Sequence, residues 1–206
     1  NGRWRPVTNA GSSFAKDRYL VVRNLLTPSL RRFLEDYASG LAKRGRLQDG
    51  DIQVPGTPCR FGDPVMESLL QALCPRFEQA SGLALWPTYS YFRVYARGDR
   101  LPRHTDLSSC YISATVNLGQ EADAAWPIWI DPGAGPLAIE LSPGDAMIYR
   151  GLDVPHWRET FRGARLTQVF LHYVDQDGPH REWKFDKRQG LDIQPGPDAM
   201  LRKLIR

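Results

Sequence analysis

The chain has 206 residues, of which 42% are hydrophobic and 24% charged, enough to close one domain around a sizeable core. No apolar run approaches the roughly 20 residues that cross a bilayer, so no membrane partner is expected. The net charge of +4 (pI ≈ 9.1) comes from scattered basic residues. It reads as solubility, with attraction of an anionic substrate as the sharper alternative and no nucleic-acid partner expected.

Three cysteines, Cys59, Cys74 and Cys110, form no C-x-x-C spacing. Neither a disulfide framework nor a zinc ribbon is indicated, and a reducing cytoplasmic setting is the default. A start at Asn1 rather than Met suggests a trimmed chain.

In chain order, a polar opening gives way to Tyr19–Val22, a plausible first strand. Thr27-Pro28 reads as a helix cap and first position, and Leu30, Phe33, Leu34, Tyr37 and Leu41 follow at helical spacing as one apolar face. The Gly-, Pro- and Asp-rich stretch from Arg44 to Gly62 predicts a long loop. Asp63-Pro64 starts a second amphipathic run with Met66, Leu69, Leu70, Leu73 and Phe77, which Pro75 should kink or end early.

From Leu83 onward the pattern is strand-like: Tyr89–Ala96, Tyr111–Leu118, Trp126–Ile130, Leu137–Leu141, Ala146–Arg150 and Leu166–Val174. Turns such as Arg97-Gly98-Asp99, Asp131-Pro132-Gly133 and Ser142-Pro143-Gly144 separate them. Many short strands after two helices predict a mainly β double-stranded β-helix (jelly roll) with the N-terminal helices packed on one sheet. One domain covers 1–206: helical support to about 82, a jelly-roll core over about 83–175, and a polar tail from 176 that ends in a basic amphipathic stretch, Met200 to Ile205. No internal repeat or low-complexity tract is evident.

The chemistry concentrates in His104-Thr105-Asp106 and His156. On a strand, residues i and i+2 share a face, so His104 and Asp106 can converge, and His156 from a later strand completes two imidazoles and one carboxylate. That set leaves coordination positions open and suits non-haem Fe(II) binding a cosubstrate and O2 together. His172 and His180 have no spacing that requires a metal and are read as structural or solvated. Asn117 shares a strand face with Tyr111, Ser113 and Thr115, a polar stripe that an apolar core would not need, and is assigned to the pocket wall.

Through YSYFRVYARGDRLPRHTD, LSPGDAMIYRGLDVPHW and RGARLTQVFLHYV, roughly Tyr89 to Asp175, the chain resembles the prolyl-4-hydroxylase-like branch of the Fe(II)/2-oxoglutarate-dependent dioxygenases. The resemblance implies that His104, Asp106 and His156 ligate Fe(II) and are the catalytic set. It also implies that Tyr95 lies near the 2-oxoglutarate cosubstrate and that Arg165, nine positions past His156, grips its far carboxylate. Asn117 stands where the family usually has an aromatic, and Gly119–Trp126 has no counterpart. The implied reaction is hydroxylation of an unactivated C–H with O2, releasing succinate and CO2. Asp106 argues against halogenation, because related halogenases lack this carboxylate.

The substrate is open at this stage. A small amino-acid-like metabolite is favoured over a residue within a peptide, and the sequence does not bear on oligomeric state. The loop Arg44–Gly62 and Leu107–Cys110 are expected at the lid and rim. Arg103, Arg150, Trp157 and Arg158 lie near the ligands in sequence and are as readily surface as site. A cupin-like metal enzyme using no 2-oxoglutarate and a catalytically silent jelly-roll binding module are the alternatives.

Overall fold

Two Xaa-Pro starts set the main helices. A computed structural model describes residues 10–191 and residue 193. In it, Thr27 Oγ1 accepts from the Leu30 amide at 3.4 Å and Pro28 opens α2 (Pro28–Lys43), after α1 (Ala10–Asp17) and β1 (Tyr19–Val22). Asp63 likewise accepts from the amides of Val65 and Met66 to cap α3 (Pro64–Ser81), which Gly82 closes in the left-handed region at φ 74°.

Pro75 does not end α3, which runs on to Ser81. The hydrogen bond it forgoes belongs to the carbonyl of exposed Gln71, which water can satisfy, while Met66, Leu69, Leu70, Leu73 and Phe77 are buried along the opposite face. α2 is rotated from the expected stripe. Leu34 and Ala38 are buried, but Leu30 and Phe33 are 40% and 58% exposed, because the contact line also carries Ser39 toward the sheet. α1 lies in the polar opening, where Phe14 is fully buried in the core beneath the helices.

The stretch expected to be a long loop forms β2 (Gln48–Gly50) and β3 (Pro55–Phe61). β3 pairs with β4 (Leu85–Ala96) through Cys59, Arg60 and Phe61 opposite Arg93, Phe92 and Tyr91. Its glycines and prolines suit the outer end of a sheet, where few ladder bonds are required.

The other strands are β5 (Leu101–His104), β6 (Ile112–Glu121), β7 (Ile128–Ile130), β8 (Leu137–Ile139), β9 (Ala146–Arg150), β10 (His156–Arg158) and β11 (Arg165–Asp175). They form a seven-stranded sheet in the order β1-β9-β6-β11-β4-β3-β2 and a four-stranded sheet in the order β5-β10-β7-β8. All pairings are antiparallel, which is the expected double-sheet jelly roll.

Alternation assigns each side chain of the large sheet to one of two faces. Ile112, Ala114, Val116 and Leu118 of β6, with Val169, Leu171 and Tyr173 of β11, pack in one cluster with the residues of the three helices. The opposite face looks into the roll and is unusually polar. It carries Ser113 and Thr115 from β6, Tyr89, Tyr91, Arg93 and Tyr95 from β4, and Gln168, Phe170 and His172 from β11.

Beyond β11 the tail makes short 3-10 turns within Arg181–Lys187, broken by a kink at Lys184–Asp186, and Arg188 pairs with buried Glu67 at 2.6 Å. The basic stretch Met200 to Ile205 lies outside the described residues.

Candidate active site

The two imidazoles meet by strand pairing. β10 lies antiparallel to β5 with His156 directly opposite His104, and the ring centroids are 4.2 Å apart. Asp106 arrives differently from the expected strand alternation, because β5 ends at His104. A hydrogen bond from the Asp106 amide to the Gly151 carbonyl, 2.8 Å, holds the connecting loop. Asp106 Oδ1 then lies 3.7 Å from His104 Nε2 and 3.5 Å from His156 Nε2. One ligand atom from each of the three residues lies within 4.8 Å of the others.

Both rings are oriented by their other nitrogen. His104 Nδ1 lies 2.9 Å from the Pro102 carbonyl and His156 Nδ1 lies 3.0 Å from the Val154 carbonyl. A carbonyl only accepts, so each Nδ1 carries the proton and each neutral ring turns the lone pair of Nε2 inward. Burial and the neighbouring His156 hold His104 below the usual imidazole range. His156 is displaced upward: burial opposes its charged form, but the Asp106 carboxylate more than offsets this. Burial alone would raise Asp106, yet the surrounding imidazoles hold it well below the usual carboxylate range. Three electron-pair donors converge with a net negative charge, the arrangement a divalent cation requires.

The carboxylate is fixed from behind. Asp106 Oδ2 lies 2.7 Å from the Ser113 hydroxyl, which also lies 2.9 Å from His172 Nδ1. His172, expected to be structural or solvated, packs its ring against Tyr89 at a tilt of 43° with centroids 4.6 Å apart and lines the cavity. The signal for it was its i+2 relation to Phe170 on the same strand face. Gly151 has no freedom to grow, since a Cβ there would fall 2.2 Å from Asp106 Oδ2 and 2.6 Å from the Cys110 carbonyl.

The three residues open onto a cavity of about 250 Å³. Phe61, Leu107, Tyr149 and Phe170 form much of its apolar wall. Gln48, Asp51 and Gln53, from β2 and the turn after it, close one side, and Leu107 with Cys110 lies at another. Asp51 reaches across to Arg93 at 2.6 Å and accepts from the Tyr91 hydroxyl at 2.7 Å.

The remaining expected residues divide. Tyr95 lines the cavity, fully buried, and its hydroxyl has no hydrogen-bond partner. Arg165 stands on the other face of the large sheet, where it pairs with Glu121 at 2.7 Å and with Glu35 of α2 at 3.4 Å. The cause is alternation: Leu166, opposite Tyr95, occupies the inward position, so its neighbour must point to the helices. Asn117 also lies away from the cavity. Its amide donates to the Leu141 carbonyl at 2.7 Å and fastens the chain before the Pro-Gly turn.

Of the arginines near the ligands, Arg103 pairs with Asp131 at 2.7 Å beside Trp157, and Arg150 lies 3.9 Å from Asp153. Arg158 is buried inside the roll, where desolvation pulls its guanidinium down to about 10.

No family model and no curated protein matches the chain in sequence. Solved structures match in fold. A Pseudomonas putida prolyl-4-hydroxylase superposes with a TM-score of 0.67 at 16% identity, covering 81% of this chain and 97% of its own. EctD from S. alaskensis with bound Fe gives 0.68 at 17%, covering 95% and 91%. The epimerase SnoN in complex with Fe3+, alpha ketoglutarate and nogalamycin RO gives 0.71 at 13%, covering 92% and 90%. The chain thus shares the prolyl-4-hydroxylase-like jelly-roll fold, with His104, Asp106 and His156 gathered inside it.

Proposed function

We propose that this chain is an Fe(II)/2-oxoglutarate-dependent dioxygenase that hydroxylates an unactivated C–H of a small amino-acid-like metabolite. The observation that carries the reading is the convergence of His104 Nε2, His156 Nε2 and Asp106 Oδ1 on a cavity, with both imidazole tautomers fixed by backbone carbonyls. His104, Asp106 and His156 would hold the iron. Bound there with 2-oxoglutarate and O2, the iron supplies oxidation of an unactivated C–H, with succinate and CO2 as co-products.

The protein's part is orientation and exclusion. Ser113 keeps one Asp106 oxygen occupied so that the other faces the imidazoles. Phe61, Leu107 and Phe170 would keep water from the reacting carbon, and Tyr95, which lines the cavity with an unpartnered hydroxyl, would offer a donor to the cosubstrate. Arg93 and Asp51 line the wall as an ion pair, a polar feature suited to the charged ends of an amino acid. The fold shared with proteins solved with iron and with alpha ketoglutarate supports the same reading.

The test is aerobic turnover of the Fe(II)-loaded protein with 2-oxoglutarate, ¹⁸O2 and a panel of free amino acids and short peptides. One labelled oxygen should enter a free amino acid as hydroxyl and the other should enter succinate. Chloride at high concentration should not be incorporated, because Asp106 fills the position a halide needs. Labelled product only from peptides would refute the small-molecule assignment. Iron-loaded protein that forms no succinate with any member of the panel would count against the reaction itself.

A further inference from the structure

Arg158 is a buried guanidinium without a carboxylate. It is 3% exposed, donates to the Trp126 carbonyl and to Gln168 Oε1 at 2.7 Å, and lies over the Trp126 ring at 4.7 Å. Both acceptors are neutral, and no carboxylate among the described residues lies within ion-pair distance of it. Arg93 and Arg188, whose side chains are also buried, each hold a carboxylate at 2.6 Å. A buried cation left uncompensated is costly, and the cost is removed when an anion docks against it.

A second group beside it also lacks a partner. Tyr95 is fully buried, its hydroxyl makes no hydrogen bond, and its ring meets the same Trp126 ring edge-on at 5.0 Å. Tyr95 lines the cavity that holds the three ligand residues. Arg158 follows His156 by two positions on β10, a step of roughly 6–7 Å along a strand and within reach of a five-carbon dicarboxylate that starts at the metal. Gln168 is itself oriented, because its Nε2 donates to Thr115 Oγ1 and leaves Oε1 for Arg158.

We propose that Arg158 and Tyr95 seat the far carboxylate of the 2-oxo dicarboxylate, with Gln168 positioning the guanidinium. The proposal rests on the cosubstrate reading above and assigns to β10 and β4 a task that the resemblance gives to Arg165.

Anaerobic calorimetric titration of the Fe(II)-loaded protein with 2-oxoglutarate and with 2-oxopentanoate separates the possibilities, since the second acid replaces the far carboxylate by a methyl group. The wild type should prefer 2-oxoglutarate by roughly 30-fold to several-thousand-fold, the usual cost of truncating one partner of a desolvated charge pair. Arg158→Met should bring the two acids within a few-fold of each other while binding 2-oxopentanoate as the wild type does.

Tyr95→Phe removes a hydroxyl that holds nothing in the fold, so it tests the seat even if the Arg158 variant does not fold. It should weaken 2-oxoglutarate about fivefold and leave 2-oxopentanoate unchanged. The seat is overturned if Arg158→Met or Tyr95→Phe keeps full discrimination, or if Arg165→Met or Arg93→Met abolishes it. A wild type that binds iron but neither acid overturns the cosubstrate reading, and the seat with it.

Discussion

Two small residues decide whether Asp106 can face the imidazoles. Ser113 ties down Oδ2 at 2.7 Å, and Gly151 leaves the space that this oxygen occupies. Ser113→Ala should lower iron affinity about 10- to 100-fold, as expected when a group that orients a metal ligand is removed. Gly151→Ala should lower it at least as much, because its methyl group would take the place of Oδ2. Competition with a chelator measures both, and circular dichroism should find the Ser113→Ala fold unchanged; wild-type affinity in both variants would detach Asp106 from the metal. The H-x-D pair and His156 were legible because their chemistry is written in residue type and order. Gly151 was not, because a glycine's value here lies in what approaches it in space, and His172 needed the face of β11 to be known first.

At the scale of elements, β2 and the turn after it form a wall latched by one ion pair. Asp51 and Arg93 are buried at 2.6 Å, and the Gln53 and Val54 amides donate to the same carboxylate at 3.0 and 2.9 Å. Asp51→Ala should cost about 3–5 kcal/mol by leaving the Arg93 charge buried alone, which chemical denaturation would measure. Burial alone would raise the Asp51 carboxyl, but Arg93 and Tyr91 together hold it below its usual value. With the folded value depressed, the stabilisation is present above the unfolded carboxyl pKa of about 3.9 and is lost as pH falls through the folded value. The difference between mutant and wild type should therefore persist at neutral pH and shrink in acid below about pH 4.

Arg165 gives the opposite case, since Glu121, its nearer partner, is 61% exposed. Arg165→Ala should cost at most about 1 kcal/mol in stability and leave 2-oxoglutarate affinity unchanged. Neither element was readable beforehand. Gly50, Pro55, Gly56 and Pro58 look like loop residues because an outer strand tolerates them, and Arg165 sits one residue out of phase with the inward face.

At the scale of the molecule, the jelly roll follows from alternation. Apolar residues on one face of β6 and β11 bind the helices, and polar residues on the other enclose the site. The strands, the helix starts and the core of α3 were legible because they rest on periodicity and capping, which are local. The partners of Arg158 were not, since Trp126 and Gln168 reach it from 32 and 10 residues away in the chain.

Because core residues such as Phe14, Phe77 and Val169 are fully buried in a cluster that includes none of the metal residues, the fold should survive chelation. Added Fe(II) at about 100 times its dissociation constant should then stabilise the protein by about 2.7 kcal/mol, read as a rise in melting temperature. No rise in the wild type, or an equal rise in His156→Ala, would mean that iron binds elsewhere.

The most direct measurement is an anaerobic visible titration of the Fe(II)-loaded protein with 2-oxoglutarate. Chelation of the iron by the 2-oxo acid should produce a weak charge-transfer absorption that saturates at one equivalent in the wild type. The same absorption should be absent from His104→Ala, Asp106→Ala and His156→Ala, each folded and each without iron by elemental analysis. A wild type that holds iron but develops no absorption, or full iron occupancy in any two of the three variants, would contradict the account.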